Sequence, residues 1–188
     1  MRFLGVENCL DQPVYDTVQL PAAAGTINMF LVPLGGILAG AAVKTYAHTN
    51  LTQAGRLEKG VNLTIKAISA SLRDIASGGA APTLADYRVL SNSAHINLQI
   101  GQISVLRMPL MFIPPGPCEN LYTSNIAPAA TEFKSNHGIS AFGNRFMLAN
   151  PIVLEENEAI QVDITYAATA AVTDLTFVLW GDFTRPVR

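Results

Sequence analysis

Alternation with a period of two constrains this chain more than any other feature. Ile160, Val162, Ile164 and Tyr166 fall on one side of an extended segment, and Gln161, Asp163 and Thr165 on the other. A second run, Thr173 to Phe183, puts Leu175, Phe177 and Leu179 on one face and Val178 and Trp180 on the opposite one. Ala94, Ile96, Leu98 and Ile100 alternate in the same way with His95, Asn97 and Gln99. A helix of 3.6 residues per turn would scatter these positions around its axis; a strand collects them on one face. The two C-terminal runs read as a final hairpin. Apolar side chains on both faces of the last run predict burial on both sides, by another strand layer or another subunit.

The rest of the chain adds weaker strands and long connections. Residues 1–25 read as an N-terminal arm or an early edge strand. Thr26 to Val32 is a short strand stopped by Pro33 and Gly35-Gly36, and Val43 to Leu51 reads as another. In Val61 to Leu72, Leu63, Ile65 and Ala67 share a face before the apolar phase shifts to Ile68, Ala70 and Leu72. A shift by one residue is what a β-bulge produces. Thr83 to Leu90 is a short helix with Thr83 as its N-cap, or a strand. Gly101-Gln102 marks a tight turn or a bulge. Pro114-Pro115-Gly116-Pro117 cannot sit in a central strand. Residues 118–144 carry no clear pattern and read as a long loop, exposed or in contact with a subunit. The sum is one domain over residues 1–188, all-β: an antiparallel sandwich of about eight strands with long loops, most simply a single jelly roll.

Composition narrows the function. Charged residues make up 14% of the chain and mean hydropathy is +0.29, against roughly 25% charge in an average soluble domain. A β domain with an uncharged polar surface would look like this; so would one whose surface is covered by neighbouring subunits, because obligate interfaces are apolar and poor in charge. The net charge of −2 and the absence of a basic run argue against direct binding to nucleic acid. Cys9 and Cys118, far apart in sequence, make neither a disulfide framework nor a zinc site; one bridge is open to them, and two free thiols suit a reducing cytoplasm. Glu7 and Asp11 interrupt any signal-peptide pattern. Thr17 to Val43 holds no charged residue, but Pro21, Pro33, Asn28 and several glycines argue against a membrane helix. A buried strand followed by a Gly/Ala loop packed under a neighbour is the better reading.

Chemistry is hard to find. His48, His95 and His137 form no His-x-His pair of the kind that binds metal in cupin-type jelly rolls; His95 should face solvent or an interface. Glu155, Glu156 and Glu158 cluster at a turn and read as solvated carboxylates rather than a glycosidase pair, with weak ion binding between subunits as the sharper alternative. No nucleophile elbow, phosphate loop or dinucleotide fingerprint occurs. The sequons at Asn50 and Asn62 read as chance matches. The expectation is a protein that is not an enzyme and uses no metal or cofactor.

Two stretches resemble the small single jelly-roll capsid and virion structural proteins of icosahedral bacterial and archaeal viruses. One is Thr49-Asn50-Leu51-Thr52-Gln53-Ala54-Gly55-Arg56-Leu57 with the strand Val61 to Ile68. The other runs from Phe146 to Leu154 through the Glu155–Glu158 turn and the Ile160–Tyr166 strand to the terminal Val178-Leu179-Trp180-Gly181-Asp182-Phe183-Thr184-Arg185-Pro186-Val187. Strand spacing and turn character carry the likeness, over about half the chain; no diagnostic motif does. The resemblance implies a shell subunit assembled in the host cytoplasm and located in the virion, packed beside copies of itself and other capsid proteins. Some such viruses hold an internal membrane, which would suit the apolar Met29–Val43 segment. Trp180, Val178, Tyr122, Phe133 and Phe142 are the expected interface contacts, since aromatic side chains are common interface anchors. The alternative is a carbohydrate-binding or receptor-binding jelly-roll module of a spike or tail appendage, for which Tyr87, Tyr122 and Tyr166 are the candidate platform.

Overall fold

A computed structural model describes residues 8–37, 43–73, 84–115 and 144–185. The strands are β1 (Asn8–Asp11), β2 (Val14–Leu20), β3 (Gly25–Met29), β4 (Asn62–Arg73), β5 (His95–Ile100), β6 (Ile103–Pro109), β7 (Phe146–Leu154), β8 (Ile160–Tyr166) and β9 (Thr173–Arg185). They form two antiparallel sheets. Sheet A has the order β1-β9-β4-β7, with β2 also paired to β9; sheet B has the order β3-β8-β5-β6. β9 is long enough to hold β2 opposite Thr173–Leu179 and β1 opposite Asp182–Arg185 along the same edge. β1 and β2 therefore act as one edge strand, broken at Gln12-Pro13, where proline has no N–H to give a ladder. Residues 8–20 thus answer the expectation of an early edge strand, while residues 1–7 lie outside the described residues.

The expected final hairpin does not form. β8 lies in sheet B and β9 in sheet A, so Ile160, Val162 and Ile164 meet Leu175, Phe177 and Leu179 in the core between two sheets, all of them fully buried. Alternation identifies the buried face of a strand but not the strand beside it. The Glu155–Glu158 turn likewise passes from β7 in one sheet to β8 in the other. Among the described residues, the hairpin between consecutive strands is β5–β6, closed by Gly101-Gln102 with Gly101 at φ 61, a backbone region that glycine enters without penalty.

The phase shift in β4 is a bulge. Its register slips between Ile65 and Ala67: against β9 Lys66 is the extra residue, whereas against β7 the extra residues, 148–151, belong to β7. Leu63 and Ile65 point into the core before the bulge, and Ile68, Ala70 and Leu72 after it. Opposite stands Gly181, where a Cβ would fall 2.0 Å from the Thr64 carbonyl oxygen. No larger residue fits there without moving backbone.

Three further expectations are corrected or decided. Val43–Leu51 is not a strand: it makes a turn over 46–48 and isolated bridges Ile37↔Val43 and Asp16↔Thr49, because its hydrogen bonds go to neighbouring loops rather than to a ladder. The Thr26–Val32 strand ends at Met29, where Phe30 turns the chain at φ 68. The segment after residue 83 is helical, α1 (Leu84–Ser93), with Tyr87 and Leu90 buried. Among the described residues no helix is long and apolar enough to cross a membrane.

Candidate functional site

The most unusual chemistry in the chain is a buried ion pair. Asp16 of β2 is 0% exposed, and its Oδ1 lies 2.5 Å from Nζ of Lys44, whose side chain is 1% exposed. Oδ2 accepts the Phe30 backbone N–H at 2.7 Å. Burial pushes the Asp16 carboxyl above its ordinary value, although the Lys44 charge and the hydrogen bonds from Lys44, Phe30 and Thr49 pull it back down. Phe30 sits in a left-handed conformation that costs a side-chain-bearing residue about 1–2 kcal/mol; its N–H bond to Asp16 and its edge-on packing against Phe177, at 6.5 Å, hold it there. Asn50 adds a second clasp: its amide accepts from Tyr15 N–H and donates to the Pro13 carbonyl. Together these contacts tie residues 43–50 along the free edge of β2. The side chains of Asp16 and Lys44 are sealed from solvent, and the contacts hold residues 43–50 against β2.

The two sheets differ on their outer faces. On sheet A, Ala67, Ser69 and Ser71 of β4, Thr17 of β2 and Thr176 and Val178 of β9 are all buried within the single chain. Thr17 and Thr176 share a hydroxyl hydrogen bond at 2.8 Å. Val178 is 5% exposed. Trp180 is half-buried, donates its indole N–H to Ser69 Oγ at 2.9 Å and carries the Arg145 guanidinium 3.7 Å above its ring. Burial of β9 on both faces is therefore met inside the chain, and Val178 and Trp180 are already engaged there. Tyr122, Phe133 and Phe142 lie outside the described residues.

Sheet B has a polar outer face. Register places Thr26, Thr165 and His95 in one row, Asn28, Asp163, Asn97 and Arg107 in the next, and Gln161, Gln99 and Ser104 in a third. The side-chain amides of Gln99 and Gln161 both donate to Asp163, Ser104 donates to Asn97 at 2.5 Å, and Thr26 and Thr165 share a hydroxyl bond. His95 is exposed, as expected of its strand position.

Exposed large apolar side chains, among the described residues, fall in two groups. Leu31, Ile37, Val43 and Tyr46 belong to the β3–β4 connection. Ile103, Val105, Met111, Phe112, Met147 and Val153 belong to β6, the short 3-10 turn that follows it and β7. Ile37 and Ile103 are each 70% exposed. Leu31, Ile37 and Val43 fall in the apolar stretch expected to pack under a neighbour, whereas the other seven are not distinguished by the sequence. The runs 103–113 and 146–154 are apolar almost throughout, so their outward members look like their inward ones.

Other candidates are occupied by structural roles. Glu158 accepts the Glu155 N–H and Glu156 accepts the Gly60 N–H, so these carboxylates pin turns. Among the described residues no cluster of His, Cys, Asp and Glu could hold a metal. Tyr87 and Tyr166 are 5% and 4% exposed, and Tyr166 donates its hydroxyl to the Pro21 carbonyl. A cleft bordered by Gln12, Asn50, Arg56, Glu58 and Phe183 has a volume of about 60 Å³, room for a few waters and far below the roughly 300 Å³ at which ligand pockets begin. Comparison of the chain with known protein families, curated proteins and solved structures found no match.

Proposed function

We propose that this protein is a structural subunit of an icosahedral virus capsid, a single jelly roll that assembles with copies of itself and with other coat proteins. The strand order supports the jelly-roll reading. With β1 and β2 counted as one strand, the eight strands pair first with last, second with seventh, third with sixth and fourth with fifth. Successive pairs alternate between the sheets, as in an antiparallel ribbon rolled into a sandwich.

The observation that carries the assembly reading is the placement of the exposed apolar side chains. Among the described residues they fall in three stretches with little charge: Lys44 is the charged residue of 31–46, Arg107 that of 103–113, and residues 146–154 hold none. Apolar surface gathered in this way, rather than scattered singly, is the mark of a contact surface. The binding-module alternative loses two of its three candidate aromatics to the interior, Tyr87 and Tyr166. Quantifying this protein in purified particles tests the proposal. Many copies per particle are expected; particles that lack it, or carry one copy or a few, would contradict it.

A further inference from the structure

We propose that Lys44 and Asp16 condense after folding into an isopeptide bond, a side-chain amide that fastens the β3–β4 connection to β2. The product is one chain closed on itself between residues 16 and 44. The bond lies within a single chain and stands whether or not that chain assembles.

Both partners are buried and held by their backbones. Asp16 alternates with Val14 and Val18 on the core-facing side of β2, opposite Phe177 of β9, and bridges Thr49 at its other edge. Lys44 donates its N–H to the Gly36 carbonyl at 2.8 Å and accepts the Gly35 N–H at 2.9 Å. Nζ and Oδ1 are thereby held in contact, with 1% and 0% of their side chains exposed. An amine and a carboxyl kept in contact on a folded frame react as one molecule, not as two that must meet. A closed site also excludes the water that would favour hydrolysis over condensation. Among the described residues Lys44 is the only buried lysine.

The chemistry favours the amide. Two opposite charges sealed from water lose hydration that their attraction restores only in part; an amide carries no charge. Burial pushes the Asp16 carboxyl above its ordinary value, toward the neutral acid that condensation requires. The step balances within the pair. Lys44 passes one proton from Nζ to Oδ1, which leaves an amine and a carboxylic acid. The nitrogen lone pair attacks Cγ, and the Phe30 N–H, 2.7 Å from Oδ2, steadies the charge that develops on that oxygen. A second proton moves from nitrogen to Oδ1, the Cγ–Oδ1 bond breaks, and Oδ1 departs as water. Oδ2 remains as the amide carbonyl oxygen and keeps its bond from Phe30. Lys66 and Asp182 form the internal contrast: their side chains also pair, but at 50% and 28% exposure, where water solvates the charges and the drive to condense is absent.

Mass spectrometry of the full chain under denaturing conditions tests this. The parent should be lighter than its sequence by one water, and Lys44→Arg should show its full sequence mass. Trypsin should cut the parent after Lys66 but not after Lys44. Chymotrypsin, which cuts at Leu20 and Phe30 between the two residues, should leave the Asp16 and Lys44 fragments joined as one species. A parent at its full sequence mass overturns the inference and leaves Asp16 and Lys44 an ion pair. So does a missing water that persists in Lys44→Arg, which would place the dehydration elsewhere. The parent's mass is read without any variant, so a failure of Lys44→Arg to fold leaves the test intact.

Discussion

On the outer face of sheet A, Thr17, Ser69, Ser71 and Thr176 are between 0% and 5% exposed; on the outer face of sheet B, Thr26, Asn28, His95 and Arg107 stand in solvent. Both faces obey the same alternation and both are largely polar. Side-chain size separates them. Sheet A presents Ala67, Ser69 and Ser71, short enough for close covering, and its hydroxyls find partners within the face, as Thr17 does in Thr176. Sheet B presents the long amides of Gln99 and Gln161, which both donate to Asp163 while remaining in contact with water. A polar outward position therefore does not by itself mean a wet one. The carboxylates make the same contrast: Asp16, at the edge of sheet A, is sealed against Lys44, whereas Asp163 is half-exposed among glutamines.

The largest expected effect comes from breaking the sealed pair. Lys44→Met should lower unfolding free energy by about 3–5 kcal/mol at neutral pH, since it strands a buried carboxylate; urea denaturation measures it. The pH dependence has a definite sign. The folded-state pKa of Asp16 is raised above its ordinary 3.8, so its ionisation lowers stability as pH rises through the folded pKa. Loss of Lys44 removes a stabiliser of the anion and pushes that pKa higher still. The penalty of Lys44→Met should therefore shrink as pH falls through the folded pKa, where a neutral Asp16 needs no cation. A penalty independent of pH would show that Asp16 is not buried as described.

Val178→Asp puts a charge on the covered face of sheet A and should cost about 3 kcal/mol or more. Thr176→Val leaves the Thr17 hydroxyl buried without its threonine partner and should cost about 1–3 kcal/mol. On sheet B, His95→Asp should stay within about 0.5 kcal/mol of the parent. Thermal unfolding of the three variants side by side sharpens the comparison. If Val178→Asp and His95→Asp cost the same, the two outer faces do not differ.

Much of the sandwich is legible in the residues, because period-two alternation records burial directly. The β4 bulge shows in the slip from Ile65 to Ile68, and both-sided burial of β9 shows in Val178 and Trp180. Strand pairing is less legible. β8 and β9 look like hairpin partners because they are adjacent in sequence, yet connections such as 167–172 cross between sheets, and nothing in an alternating pattern tells a turn within a sheet from one between sheets. The exposed apolar side chains are the least legible. Trp180 drew notice as an aromatic on an outer face, but Arg145 and Ser69, distant from it in sequence, engage it. Ile37, Phe112 and Met147 sit in runs of apolar neighbours, where only the three-dimensional structure separates outward from inward.

A coat subunit of the proposed kind associates with copies of itself. Its mass in solution, measured by light scattering over a wide concentration range, tests that most directly. Species of several chains, increasing with protein concentration, are expected; a particle of 20.1 kDa, the mass of one chain, at every concentration would rule out self-assembly.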